Sequence, residues 1–149
     1  VREAGLGMSC MSDRRFVDTN ILVYARDADN DHKREVAHTE IEALWMSGNG
    51  RISYQVLAEY FTVLSRKYGV PDSVLMDELD DFESWSPCAI DSLVFSRAKK
   101  LRDHYRLSWW DCQIVAAAEH CQCPVLLSED LSHGARYGTV EVLNPFMSS

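Results

Sequence analysis

Most of the 23 aspartates and glutamates in this 149-residue chain sit where solvated helix faces would put them, as Glu40, Glu42, Asp77 and Asp80 do. Four others do not. Asp18 follows directly on the apolar pair Phe16-Val17, and Asp130 follows Val125-Leu126-Leu127 after Ser128 and Glu129. Both apolar runs read as strands, so both carboxylates fall at strand carboxyl ends. Glu59 has Val56 before it and Val63 after it at helical spacing, which sets its carboxylate in an apolar stripe. Asp111 shares a helix face with Val115 and Ala118, in a segment with few polar surfaces. Each has a plain alternative. Asp18 and Asp130 suit a helix cap or turn, Glu59 a buried salt bridge, and Asp111 a carboxylate on a helix dipole.

Together the four acids suggest more. If they converge, their mutual repulsion requires either protonation or a cation among them. Oxygen donors without His or Cys favour Mg²⁺ or Mn²⁺ over zinc. Such an ion lowers the pKa of a bound water and neutralises charge on a phosphodiester and its leaving oxygen. Metal-assisted hydrolysis is the chemistry this set predicts.

The elements that must position these acids alternate between short strands and helices. Strands are predicted at 15–17, 51–53, 88–90, 124–127 and 140–143. Helices are predicted at 33–47, from 53 or 54 to 68, 72–85, from a cap at Asp91 to 104, and 109–119. The first of these helices has Val36, Ile41, Leu44 and Trp45 for a buried stripe; the one after Asp91 carries Leu93, Val94, Ala98 and Leu101 inward. Gly48-Asn49-Gly50 and Gly69-Val70-Pro71 mark two helix ends. This alternation predicts an α/β fold with a parallel sheet covered by helices on both faces. Sites in such sheets gather at strand carboxyl ends, near a topological switch point. Residues 1–13 show no periodicity and read as a disordered tag or mis-assigned start.

Composition narrows the classes further. An apolar content of 46% builds a sizeable core, and the apolar runs are too short to span a bilayer. The formal net charge of −8 excludes a generic basic coat for nucleic acid, so RNA must be met by a local basic surface or by metal. Five cysteines without a framework, and no visible secretory signal, point to free thiols in a reducing cytoplasm. Cys121 and Cys123 have no second Cys/His pair to complete a zinc site. No Gly-x-Ser-x-Gly elbow, nucleophilic Cys turn or phosphate-cradling glycine loop is present. His32, His38, His104, His120 and His133 are scattered at polar positions that read as surface.

The ordered set Phe-Val-Asp-Thr-Asn at 16–20, the helical Glu59, Leu-Ser-Trp-Trp-Asp at 107–111 with Ile-Val-Ala-Ala-Ala at 114–118, Leu-Ser-Glu-Asp-Leu at 127–131 and Asn-Pro-Phe at 144–146 resembles the PIN domain. More narrowly it resembles the toxin ribonucleases of bacterial VapBC toxin–antitoxin pairs. The resemblance covers about residues 15–146 and implies a three-layer α/β/α sandwich around a central parallel sheet of four or five strands, one nuclease domain over 14–149. By position it implies that Asp18, Glu59, Asp111 and Asp130 hold one or two Mg²⁺ or Mn²⁺ ions. Thr19, Asn20 and Ser128 match supporting polar positions that orient a carboxylate or bind phosphate.

The resemblance further implies a metal-dependent endoribonuclease that cuts single-stranded or structured RNA, leaving a 5′-phosphate and a 3′-hydroxyl. It implies a cognate antitoxin and a homodimer. Arg97, Lys100 and His104 share a helix side and are candidates for steering RNA, against the plain reading of a solvated face. Tyr54, Leu57, Phe61 and Trp45 are candidates for a partner groove, against the plain reading of core. Two other functions stand beside this one. One is an RNA-processing or branched-DNA nuclease of the same fold; the other is a catalytically silent module that binds RNA or a partner.

Overall fold

The computed structural model describes residues 11–147. The expectation for residues 1–10 and Cys10 lies outside the described residues, while Met11–Asp13 form a 3-10 turn. In chain order follow β1 (Arg15–Val17), α1 (Thr19–Tyr24), α2 (Asp31–Ser47), β2 (Gly50–Arg51), α3 (Tyr54–Tyr68), α4 (Asp72–Glu83), α5 (Ser92–His104), α6 (Trp109–His120), β3 (Val125–Leu127), β4 (Arg136–Tyr137) and β5 (Val140–Leu143).

The sheet has the order β2-β1-β3-β5-β4. β2, β1, β3 and β5 run parallel, and only β4 pairs antiparallel, on β5. The chain moves from β1 to β2 on one side and then returns to lay β3 on the other, so the topological switch lies between β1 and β3. Their carboxyl ends carry Asp18 on one side and Ser128 on the other. Phe16, Val17, Leu126 and Leu127 are all fully buried, as strands covered on both faces require. α5 and α6 pack as a pair, with α6 on β3 and β5, whereas α1 packs on α2 and α3, and α3 on α4. These are the outer layers of an α/β/α sandwich with a central sheet.

Local chemistry explains the helix limits. Asn30 and Ser53 accept backbone N–H bonds from Lys33 (3.1 Å) and Val56 (3.3 Å), capping α2 and α3. α2 and α3 end on Gly48 and Gly69, both left-handed. α6 buries every residue from Cys112 to Ala118, including Gln113, and forms the inner wall of its layer.

Several elements differ from the sequence reading. The strand expected at 88–90 is a single parallel bridge between Cys88 and Ser53. Ser53 is already the cap of α3, so one pairing exhausts the available ladder. α1 was not anticipated, because six residues directly behind a strand carry too little periodicity. β4 was missed because Arg136-Tyr137 has no alternation. Leu93, expected inward, is 68% exposed, while Val94, Ala98 and Leu101 fill the inner face. In α2 it is Ala37 that is buried with Ile41, Leu44 and Trp45, and Val36 is half-buried.

Cys88, Cys112, Cys121 and Cys123 are free thiols, and all five histidines are exposed. No helix among the described residues is long and apolar enough to cross a membrane.

Trp45, Phe82 and Trp85 pack ring on ring with centroids 4.9–5.7 Å apart, beneath β2. A Cβ on Gly50 would stand 2.7 Å from the Trp85 indole. Because that indole is locked in the cluster, Gly50→Ala is expected to lose about 1–3 kcal/mol of stability, read as a lower thermal midpoint.

Candidate active site

At the end of β1 the backbone of Asp18 remains in the sheet, donating its N–H to the Leu127 carbonyl at 3.0 Å. Its side chain is 6% exposed. Oδ1 accepts the Thr19 N–H at 2.7 Å, and Oδ2 accepts the Ser128 hydroxyl at 2.8 Å and the Asn20 amide at 3.3 Å. Asp18 therefore caps α1, as its plain reading had it, and is also the most buried member of the acidic set. Burial pushes its carboxyl up from 3.8 to about 6; the Ser128 and Thr19 hydrogen bonds oppose that, and the charges of Asp130 and Asp111 push it further up.

The first turn of α1 joins the other acids to this point. Thr19 donates its hydroxyl to Glu59 Oε2 at 2.9 Å, and Gln55 donates to Glu59 Oε1 at 3.3 Å. The Asn20 amide nitrogen donates to Asp130 Oδ2 at 3.1 Å as well as to Asp18, while its Oδ1 accepts the Glu129 N–H at 3.2 Å. Asp111 approaches from the first turn of α6, where Ser108 Oγ accepts its N–H at 3.1 Å, and it acts on Asp18 through charge.

The burial order differs from the expectation that Glu59 and Asp111 would be the enclosed pair. Both are half-buried, and Asp130 is exposed. The tight position belongs to Asp18, because it alone lies in the sheet layer.

Sequence reading missed two supports. Gln55 lies one turn before Glu59 on α3 and orients it. Glu129 receives Lys33 Nζ at 2.6 Å and the Tyr24 hydroxyl at 3.0 Å, which fastens the Ser128-Glu129-Asp130 segment to α1 and α2. Its place between two candidate residues was the available signal.

A cation fits this donor set in kind. All donors are oxygens, and Asp18 carries a carboxyl that its surroundings disfavour as a bare anion. Among the described residues no group of three or more His, Cys, Asp or Glu side chains stands close enough together to hold a metal ion. Mg²⁺ ordinarily keeps several waters and takes only one or two carboxylates, so an open set of this type suits it.

The basic candidates divide. Arg97 is committed to Glu119 by two bonds of 2.9 and 3.3 Å, under a tight approach of Gly138. Lys100 and His104 are exposed, His104 lying edge-on to Tyr105 with centroids 4.5 Å apart. Of the groove candidates, Tyr54, Leu57 and Phe61 line an open apolar depression with Met76 and Leu79. Trp45 does not join them; at 3% exposure it is core.

The sequence pattern of the PIN domain matches residues 15–135, and the chain belongs to that family. Among curated proteins none matches the chain. A solved structure described as a toxin-antitoxin complex from Klebsiella pneumoniae is similar in fold. Its TM-score is 0.67 at 22% identity, over 88% of this chain and 97% of that one.

The raised Asp18 carboxyl has a stability consequence in metal-free protein. The folded state binds this proton more tightly than the unfolded chain, so stability falls as pH rises from about 4 to about 6 and stays lowered above. In EDTA, Asp18→Asn is expected to raise the unfolding free energy at pH 7.5 by on the order of 2–3 kcal/mol at most, read as a higher thermal midpoint. That gain should shrink toward pH 4. Equal midpoints at both pH values would show that Asp18 titrates as an ordinary carboxyl.

Proposed function

We propose that this chain is a Mg²⁺- or Mn²⁺-dependent endoribonuclease, the toxin of a toxin–antitoxin pair. The observation that carries the reading is the buried Asp18 carboxylate. Through Thr19 and Asn20 it is linked to Glu59 and Asp130, and it feels the charge of Asp111, at the switch point of a PIN fold.

In this reading Asp18, Glu59, Asp111 and Asp130 would hold the cation, one or two of them directly and the others through its waters. When bound, the ion supplies an acidified water and offsets the charge that builds on the phosphodiester. The chain's own residues do the orienting. Ser128 fixes the rotation of the Asp18 carboxylate through its hydroxyl. Thr19 turns Glu59 toward the same edge of the sheet, helped by Gln55. Asn20, pinned by the Glu129 N–H, holds Asp130 and Asp18 on one amide nitrogen.

These side chains are set before any ligand arrives, so little reorganisation is needed at the step itself. Burial of Asp18 excludes water from one side of the site and leaves the exposed Asp130 side open to an RNA strand. A bacterial cytoplasm is the setting that free thiols fit.

An antitoxin partner is part of this reading, supported by the fold's likeness to a chain of the Klebsiella toxin-antitoxin complex. The apolar depression of Tyr54, Leu57, Phe61, Met76 and Leu79 suits a partner's amphipathic helix. A homodimer is the assembly the resemblance implies.

The test is cleavage of total bacterial RNA by purified protein with Mn²⁺, with EDTA, and with Asp111→Asn in parallel. Discrete fragments are expected only with metal and intact Asp111, with the variant's circular dichroism unchanged. Asp18→Asn should abolish cleavage likewise, a loss of at least about a hundredfold if electrostatic stabilisation dominates. RNA binding that is tight, indifferent to Mn²⁺ and without cleavage would instead identify a silent binding module.

A further inference from the structure

Trp110 is 60% exposed, beside Asp111 in the first turn of α6. The chain's other tryptophans are engaged. Trp45 and Trp85 are each 3% exposed, and Trp109 is half-buried edge-on against Phe95, with centroids 5.2 Å apart. Phe95 is itself 46% exposed, and Lys99 Nζ stands 5.9 Å from its ring. Arg102 donates a hydrogen bond to the Leu107 carbonyl, just before the Ser108 cap of α6. Exposed rings and cations are thus distributed along a strip made of α5 and the first turn of α6, the turn that presents Asp111.

The charge on this strip opposes that of the rest of the molecule. Between Arg97 and Arg106 there are five cations and one acid, Asp103, in a chain of formal charge −8. Arg97 is spent on Glu119. Lys99, Lys100, Arg102 and Arg106 remain exposed, with Asp103 the single acid among them. A second copy of the chain seated two-fold on this face would bring cation onto cation. A polyanion is the complementary partner, and the indole adds a demand that phosphate alone does not satisfy. It needs a flat apolar face, which a nucleic acid offers only where a base is unpaired.

We propose that Trp110 is a stacking platform for an unpaired base, and that Lys99 and Arg102 guide the adjoining backbone of single-stranded RNA toward Asp111. This inference rests on the nuclease reading and deepens it by specifying how the substrate strand is presented. It shifts the basic contribution from Arg97 to Lys99 and Arg102, further along the same helix.

The experiment uses the full chain carrying Asp18→Asn, so that RNA is not consumed. Indole fluorescence is followed on titration with a uridine-rich single-stranded RNA, the same strand annealed to its complement, and inorganic polyphosphate. Quenching is expected with the single strand and little with duplex or polyphosphate. Adding Trp110→Ala should remove the quenching and weaken single-strand binding by about tenfold or more, while Trp110→Phe retains most of the affinity. Lys99→Ala with Arg102→Ala should flatten the salt dependence of log K by roughly 1.4, the share of two phosphates on a single strand.

The inference is overturned if polyphosphate quenches as well as RNA, or if Trp110→Ala binds RNA as the parent does. It is also overturned if that substitution turns a dimer into a monomer in sedimentation, which would make the face a protein interface. Cleavage of RNA by the unsubstituted chain separates the two readings. If it cleaves with Mn²⁺ while Trp110→Ala is indistinguishable from it, the nuclease stands and the platform falls. If the unsubstituted chain neither binds nor cleaves, both fall.

Discussion

A carboxylate enclosed at the end of the central strand is the constraint on which this structure turns. Asp18 follows Phe16 and Val17, both fully buried, and is itself almost without solvent. Ionised and alone, such a group would cost several kcal/mol, roughly. The fold reduces the cost with hydrogen bonds from the Ser128 hydroxyl, the Thr19 N–H and the Asn20 amide, but only in part, since the carboxyl is still pushed up to about 6. Asp130 and Asp111 make the position harder still for an anion. Evidently the arrangement is not built for stability of the empty protein. A cation would relieve burial and repulsion together, which is why the proposed metal chemistry belongs at this point and not at the surface acids.

The register of the sheet is what brings the pieces together. Val17 pairs with Leu127, so Asp18 and Ser128 are the next residues out on neighbouring parallel strands. A slip of one residue would turn Ser128 to the opposite face and leave Asp18 without its hydroxyl. Because α1 starts immediately after Asp18, Thr19 and Asn20 emerge in its first turn, where they reach Glu59 on α3 and Asp130 beyond β3. Lys33, Tyr24 and Glu129 then tie the Asp130 segment to the helices on that side. Lys33 also lies over the Tyr24 and Phe146 rings, 4.5 and 5.3 Å from their centroids, so the last described residues take part in the same anchor.

The uneven charge of the molecule fits the same picture. α4 carries six acids, Asp72, Asp77, Glu78, Asp80, Asp81 and Glu83, whereas the exposed side of α5 is cationic. The formal charge of −8 repels phosphate in general, and the exposed cations of α5 are where the proposed RNA contact would be made. That polarity orients an approaching strand at distances within a Debye length, beyond which salt screens it.

Much of this could be read from residue order alone. The strand-then-acid pattern at Asp18 and Asp130, the helix start at Ser53 or Tyr54, the caps at Asp91 and Ser108, and the glycine stops at Gly48 and Gly69 are local signals, and the structure has a strand end, helix start, cap or stop at each. The helical limits and the parallel core followed from them. Local sequence could not rank the acids by burial, because that depends on which strand lies at the centre of the sheet. It could not tell that Arg97 is spent on Glu119, that Leu93 faces out or that Trp45 belongs to the core and not to a groove, since each outcome is set by a distant neighbour. Nor could it find α1 and β4, which are too short to carry a period and exist because β1 and β5 give them something to pack or pair against. Residue types determined which chemistry was available; the pairing of β1 with β3 decided where it is assembled, because only tertiary contact controls how much water a carboxylate keeps.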